Sequence, residues 1–118
     1  MIAQLTPADF NAWRDSPGAG TPAPVVLDVR EPWEIQTASV CEDGFTLLCI
    51  PMRDVPTRVE QLKGKLGADQ PIACLCHHGM RSLQVANFLA QNGFTAVVNL
   101  QGGIDAWSRQ RDAAVPHY

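Results

Sequence analysis

Four short apolar runs, each followed by a segment of helical pattern, constrain the fold more than any other feature of the sequence. The runs are rich in Val, Ile and Leu without polar alternation, which is typical of strands buried on both faces of a parallel sheet. A helix after each run supplies the crossover that parallel pairing requires. The sequence predicts a single α/β domain over 1–118, with a central, mostly parallel sheet of four to five strands flanked by helices on both faces. The predicted strands are 25–29, 46–50, 71–76 and 95–100.

Proline, glycine and capping residues mark where the predicted helices begin and end. Thr6 and Pro7 are typical of a helix start. The segment 16–24 is rich in proline and glycine and predicts a loop. Gly67 and Gly93 are expected to end two amphipathic helices. The predicted helices begin near residues 7, 32, 55, 82 and 104.

The composition argues against several classes of partner. The 118 residues carry twelve acidic and nine basic side chains, a net charge of -3, so the chain has no cationic excess for binding nucleic acid. No apolar run approaches the roughly 20 residues that a membrane-spanning helix needs. The first residues show no export signal, so we expect a cytoplasmic protein whose four cysteines are free thiols.

The segment from Cys76 to Ser82 joins a buried strand to the clearest amphipathic helix of the chain. A cysteine just before a helix meets unpaired backbone N–H groups and the positive end of the helix dipole, which favour the thiolate. Gly79 permits a tight loop whose N–H groups turn inward. The sequence predicts an accessible Cys76 nucleophile in a cradle for negative charge. The predicted substrate-binding residues are His77, His78, Gly79, Met80, Arg81 and Ser82.

Two roles remain open for Arg81, which can organise the loop and bind an anion or form a purely structural ion pair. Asp28 and Arg30 follow another buried strand and are expected to brace the loop, because the carboxyl ends of parallel strands meet at one edge. Gly102 begins a tight strand-to-helix turn and not a dinucleotide-binding loop, since the rest of that motif is missing. Met52 and Arg53 are candidates for the pocket rim, and Trp13, Trp33 and Trp107 for packing.

The other cysteines and the paired histidines have simpler interpretations. Cys74 is expected to be a small core residue, because an i,i+2 pair with Cys76 on an extended chain rarely closes a disulfide. Cys41 and Cys49 are read as packing or turn residues. A zinc site is not expected, since the sequence has no second ligand pair at a suitable spacing. His77 and His78 are instead expected to line the mouth of the pocket.

Four segments, in order, resemble the rhodanese family of sulfurtransferases. Cysteine phosphatases also place an arginine after a nucleophilic cysteine, but with five intervening residues, whereas four lie between Cys76 and Arg81. The shorter loop is similar to that of the rhodaneses. One stretch departs from the family pattern: many members carry His-Ile-x-Gly-Ala where this chain has 37–45. The matching segments are 27–34, 50–52, 76–82 and 100–107.

The resemblance implies a ping-pong sulfur transfer. Cys76 would take the outer sulfur of a small anionic donor such as thiosulfate, carry it as a persulfide, and pass it to cyanide, a thiol or a protein. Neither a metal nor an organic cofactor is implied. Two alternatives remain: a protein-docked sulfur carrier or regulatory module without efficient thiosulfate turnover, and a phosphatase or arsenate-reducing enzyme on the same fold.

Overall fold

The five strands of the computed structural model, which describes residues 2–16 and 23–118, form one parallel sheet. The strand order is β1-β5-β4-β2-β3. This arrangement confirms the predicted α/β class and the four strands expected from the apolar runs. Most of the loop predicted for 16–24 lies outside the described residues. The strands are β1 (Ala3–Leu5), β2 (Val25–Asp28), β3 (Thr46–Cys49), β4 (Ile72–Leu75) and β5 (Val97–Leu100).

The inner strands β2 and β4 are apolar except for Asp28 at the end of β2, and every residue of both is buried. In the register, Val26 lies opposite Leu47 on one side and Ala73 on the other. Helices cover both faces of these strands. Residues that point to either face are therefore buried, and the sequence does not alternate between polar and apolar residues.

In the described residues four α-helices connect consecutive strands, and a fifth, α5, follows β5. α3 begins and ends where the sequence predicts, whereas α4 begins two residues before the predicted Ser82, because the tight turn ends at Gly79. Two 3-10 helices, Pro7–Asp9 and Met52–Asp54, precede α1 and α3. No helix in the described ranges is long and apolar enough to cross a membrane. The helices are α1 (Phe10–Asp15), α2 (Pro32–Thr37), α3 (Val55–Leu66), α4 (Met80–Gln91) and α5 (Gly103–Gln110).

Alternate residues of the strands face two separate cores. Leu27 points into the core beneath α3 and α4, where it packs among residues such as Leu89. Val26 points to the opposite core, formed with Phe10 of α1 and Trp107 of α5. Each large apolar side chain that is fully buried in this way contributes roughly 1.5–3 kcal/mol. Packing of the two cores sets the position of the carboxyl edge of the sheet, where the predicted nucleophile Cys76 lies.

The edge strand β1 is the element that sequence patterns do not reveal. It has only three residues, none of them fully buried, and pairs with β5 at Ala3, Gln4 and Leu5. A run this short has no readable periodicity. Its contribution to the site is a single side chain, that of Gln4.

Candidate active site

Three loops meet at the carboxyl edge of the sheet and enclose the start of α4. The amide of Ile104 donates to the carbonyl of Cys76 at 2.8 Å, which ties α5 to the loop after β4. The backbone after β2 is tied to the same strand, since the Val29 amide donates to Leu75 at 2.9 Å. The loop 76–79 is therefore held from both sides by backbone hydrogen bonds.

Two glycines make this close approach possible. Gly79 has φ +100°, and a Cβ there would lie 3.1 Å from the amide nitrogen of Gly102. At Gly103 a Cβ would overlap the carbonyl oxygens of Cys76 and His77. The Gly102–Gly103 pair thus acts as the tight turn that the sequence predicts, and its lack of side chains lets α5 reach the Cys76 loop.

The sulfur of Cys76 lies within this loop and receives two backbone amides. Gly79 N is 3.1 Å and Ser82 N is 3.3 Å from Sγ, and the hydroxyl of Ser82 lies 3.2 Å away. Cys76 is only 1% exposed. The expectation of an accessible thiol is therefore wrong for this conformation, because the loop folds over the sulfur and the first turn of α4 closes beside it.

Ser82 is connected to the neighbouring strand by a buried polar network. Its hydroxyl donates to Asn99 Oδ1 at 2.6 Å. Asn99 Nδ2 donates in turn to the carbonyl of Gly79 at 3.1 Å and to Gln4 Oε1 at 3.0 Å. Sequence reasoning missed Asn99, although a polar residue inside the apolar run of β5 was a usable signal. The network holds both Gly79 and Ser82 in place around the thiol.

Arg81 forms a bidentate ion pair with Glu34 of α2. Both N–O distances are 2.8 Å, and the Glu34 side chain is almost fully buried. The Arg81 guanidinium, helped by the Glu31 amide and the Tyr118 hydroxyl, lowers the pKa of Glu34 to about 2 despite burial. The pKa of Arg81 is raised by the same contact. Of the two roles open for Arg81, the structure shows the ion pair, with part of the Arg81 side chain still exposed.

Asp28 and Arg30 form a second, fully buried ion pair. Arg30 Nη2 lies 2.7 Å and Nε 2.9 Å from the Asp28 carboxylate, and neither side chain is exposed. Arg30 also donates to the carbonyl of Ala38 at 2.8 Å. Every charge of the pair is thus compensated by short hydrogen bonds, which burial demands. The pair fixes the chain on either side of α2, from which Glu34 projects.

Tyr118 joins the two ion pairs and covers the loop. Its hydroxyl accepts from Arg30 Nη1 at 3.0 Å and donates to Glu34 Oε1 at 2.9 Å. Its ring stacks on His77 with centroids 3.9 Å apart, and His77 stacks on His78 at the same distance. Nothing in the sequence pattern around Tyr118 indicated this role. Of the two predicted mouth residues, His77 is therefore partly covered by the Tyr118 ring, whereas His78 is exposed.

The segment that carries Tyr118 is fastened to α5 through His117. Its ring nitrogens lie 3.3 Å from Asp105 and 3.2 Å from the hydroxyl of Ser108. The Ser108 hydroxyl is buried and donates to the carbonyl of Val115 at 2.6 Å. The proton of the Ser108 hydroxyl is donated to Val115 and is not available to His117. This Ser–His–Asp group therefore anchors the segment and offers no nucleophile.

Burial and the neighbouring His78 lower the pKa of His77, which disfavours the charged form of this imidazole. No group of His, Cys, Asp and Glu in the described residues is arranged to hold a metal ion. The arrangement at the loop is therefore a thiol with directed amides, and its neighbouring charges are paired with one another.

The remaining candidates lie outside the loop. Cys74 is fully buried, and burial raises the pKa of its thiol. Cys41 and Cys49 are exposed, so packing does not explain Cys49 at the end of β3. Met52 and Arg53 line a shallow cleft beside Arg81, together with Val29 and Glu31. Of the tryptophans, Trp107 is in the core, Trp13 packs against it, and Trp33 is 62% exposed.

The comparisons with known proteins agree with this geometry. The model of the rhodanese-like domain family matches residues 6–110. A rhodanese-like/PpiC domain-containing protein 12, chloroplastic, from Arabidopsis thaliana is 41% identical over 93 residues, which cover 79% of this chain and 30% of the relative. A protein named sulfurtransferase from Allochromatium vinosum is 33% identical over 91 residues, covering 77% of this chain and 78% of the relative. The chain thus spans less than a third of the first relative and most of the second.

Solved structures show the same architecture. A rhodanese-related protein from Thermoplasma volcanium superposes with a TM-score of 0.72 at 28% identity, covering 93% of this chain and 94% of that one. A rhodanese-like domain protein from Staphylococcus aureus gives a TM-score of 0.71 at 21% identity, with 99% of both chains covered. At that lower identity the likeness concerns the fold alone. The resemblance that the four sequence segments indicated is confirmed.

Proposed function

The chain belongs to the rhodanese-like domain family, and we propose that it is a sulfurtransferase that moves a sulfane sulfur from a donor such as thiosulfate to a nucleophilic acceptor through a persulfide on Cys76. The observation that carries the proposal is the pair of amides, from Gly79 and Ser82, that point at the Cys76 sulfur at the start of α4. Backbone amides fixed in this way stabilise a thiolate and need no reorganisation when negative charge develops.

In the proposed first half-reaction, the Cys76 thiolate attacks the outer sulfur of thiosulfate. A new S–S bond forms to Cys76, the S–S bond of the donor breaks, and sulfite leaves with the electron pair. The product is a Cys76 persulfide anion, which the two amides stabilise. In the second half-reaction a thiol, a protein thiol or cyanide attacks the outer sulfur and restores the Cys76 thiolate. No metal or organic cofactor takes part in this scheme.

The charges around the loop favour a mild preference for anionic donors. Arg81 is held in its charged form, but both of its terminal nitrogens are bonded to Glu34. The pair is nearly neutral as a unit, so a highly charged donor gains little long-range attraction from it. We expect the amides and the α4 terminus to supply most of the anion stabilisation, with the exposed part of the Arg81 guanidinium in a secondary role.

The decisive experiment is an intact-mass measurement after incubation with thiosulfate. The protein should gain about 32 Da, one sulfur atom, and the gain should be absent in Cys76→Ser. Addition of cyanide should then remove the added mass and produce thiocyanate. Cys74→Ser is the matched control, since it alters a thiol two residues away and should load normally. A protein that neither gains sulfur nor turns over with cyanide would overturn the proposal.

A protein-docked sulfur carrier is the second candidate, and two observations favour it. Cys76 is shielded in this conformation, while Met80, which directly follows the loop, and Trp33, whose ring contacts Tyr118, are 71% and 62% exposed. Exposed apolar side chains beside a shielded thiol suit delivery of sulfur by another protein. Faster loading from a cysteine desulfurase than from thiosulfate would select this role. Hydrolysis of an aryl phosphate faster than sulfur transfer would instead select a phosphatase, which the four-residue spacing disfavours.

A further inference from the structure

We propose that Asn99 is a positioning residue that controls the ionisation of Cys76 by holding the hydroxyl proton of Ser82 away from the sulfur. All three side chains are buried: Cys76 and Asn99 are 1% exposed and Ser82 is fully covered. They come from three elements, the end of β4, the first turn of α4 and the middle of β5.

The orientation of the Asn99 amide follows from its neighbours. The carbonyl of Gly79 lies 3.1 Å from one of the two terminal atoms of Asn99. A carbonyl oxygen can only accept, so that atom must be the nitrogen Nδ2. The oxygen Oδ1 then faces Ser82 at 2.6 Å and can itself only accept. The hydroxyl of Ser82 is therefore the donor in this short contact.

A serine hydroxyl has one proton, and here that proton points to Asn99. The same Ser82 oxygen lies 3.2 Å from Cys76 Sγ and presents a lone pair to it. A neutral thiol fits this arrangement, because its S–H can donate to Ser82. A thiolate does not fit it, because two electron pairs would face each other.

Two opposing influences therefore act on the thiol. The amides of Gly79 and Ser82 stabilise the thiolate, whereas the Ser82 hydroxyl, as Asn99 orients it, stabilises the protonated form. When Cys76 ionises, its proton passes to solvent, and the Ser82 hydroxyl can turn to the sulfur only by giving up its bond to Asn99. The strength of the Ser82–Asn99 hydrogen bond thus sets how readily the nucleophile forms.

The other titratable groups near Cys76 come from the surrounding elements. The charge of Arg81 is already paired with Glu34, and Cys74 lies on β4, two residues before Cys76. None of these groups bonds to Asn99 or Ser82, so a change at either position leaves their charges in place. The neighbouring titratable and charged residues are Asp28, Arg30, Glu34, Cys74, His77, His78, Arg81 and Tyr118.

The test is a titration of thiolate absorbance, recorded as the difference between each protein and the same protein with Cys76→Ser. Asn99→Leu keeps side-chain volume but removes both the acceptor for Ser82 and the bond to the Gly79 carbonyl, so the Ser82 hydroxyl is free to donate to the sulfur. The pH at which half of Cys76 is thiolate should fall by about one unit, the effect of gaining one hydrogen bond to a charged group. An unchanged or higher midpoint overturns the proposal.

Ser82→Ala is a second variant, and the direction in which it shifts the thiolate midpoint distinguishes the two orientations of the Ser82 hydroxyl. If Ser82 presents a lone pair to the sulfur, its removal lowers the midpoint; if it donated to the thiolate, its removal would raise the midpoint. In the Ser82→Ala background, Asn99→Leu should cause no further shift, whereas a purely structural effect of Asn99 would persist. The assignment is refuted if the thiolate midpoint rises in Ser82→Ala. It is also refuted if Asn99→Leu shifts the midpoint equally in the protein with Ser82 and in the Ser82→Ala variant.

The role of Asn99 in sulfur transfer rests on the proposed function, but the titration does not. If the midpoint shifts as expected and sulfur loads faster at acidic pH in Asn99→Leu, both ideas are supported. If the midpoint shifts but thiosulfate loads no sulfur onto any variant, the proposed function fails and the control of ionisation stands.

Discussion

Arg81 and Glu34 face each other across the carboxyl edge of the sheet with two N–O distances of 2.8 Å. The contact joins the first turn of α4 to α2, and the hydroxyl of Tyr118 extends it to Arg30. The turn that aims two amides at Cys76 is thereby attached to a rigid, buried framework. The geometry around the Cys76 sulfur therefore depends on charges that do not touch it.

Stability should depend on pH through Glu34. Its pKa of about 2 lies below its ordinary value near 4.5, so the carboxylate contributes stability that is present above about pH 4.5 and is lost as pH falls toward 2. The shift corresponds to about 3 kcal/mol. In urea unfolding at pH 6 and near pH 2, Glu34→Gln should lose most of this acid dependence. Glu60→Gln, which alters an exposed carboxylate, should retain the acid dependence of stability. Equal pH profiles for Glu34→Gln and the unmodified protein would contradict the assignment of this dependence to Glu34.

Arg81→Ala should both slow sulfur loading and destabilise the fold. Loss of the guanidinium leaves the buried Glu34 carboxylate without its main partner, which costs roughly 3–5 kcal/mol. We expect loading from thiosulfate to slow 10- to 1,000-fold, the range for loss of one fixed contact to an anion. The double variant Arg81→Ala/Glu34→Gln separates the two effects. It should recover stability, and loading that stays slow shows that Arg81 acts on the loop or on the donor and not only by pairing with the Glu34 charge.

Local sequence patterns were sufficient for four of the five described strands and for the loop, but not for the edge strand β1. β4 and all but the last residue of β2 are apolar because both faces are covered, and Gly79 is needed where φ is positive. Each of these features depends on a few consecutive residues. Patterns of this kind therefore located Cys76 and the elements on either side of it.

The partners of the loop depend on the tertiary arrangement. Glu34 meets Arg81 47 residues further along the chain, and Tyr118 reaches Glu34 across 84. No spacing rule identifies such pairs, because the packing of α2 against the sheet brings them together. The shielding of Cys76 is equally non-local, since it needs the closed turn of α4.

Tyr118→Phe should separate the hydroxyl bridge from the ring stack. Phenylalanine keeps the ring against His77 but removes the bonds to Arg30 and Glu34, whose buried charges then lose one partner each. Hydrogen bonds to charged groups contribute about 1.5–3 kcal/mol, and the unfolding free energy should fall by an amount in this range. Denaturant unfolding measures it.

Tyr118→Ala, the companion variant, also removes the stack on His77. It should increase the hydrogen-exchange rates of the loop amides at 77–79 beyond those in Tyr118→Phe. Identical exchange rates in the two variants would show that the ring does not restrain the loop.

Gly79→Ala tests whether the turn itself creates the cradle. With φ at +100° and the Gly102 amide 3.1 Å from the added Cβ, alanine must either hold a strained backbone or displace the loop. Displacement turns the Gly79 amide away from Cys76, so sulfur loading should fall at least tenfold. Gly64→Ala is the matched control, because it lies within α3 with open space around the new Cβ and should load normally with slightly greater stability. Loading that survives intact in Gly79→Ala would mean that the Gly79 amide is not needed to stabilise the sulfur.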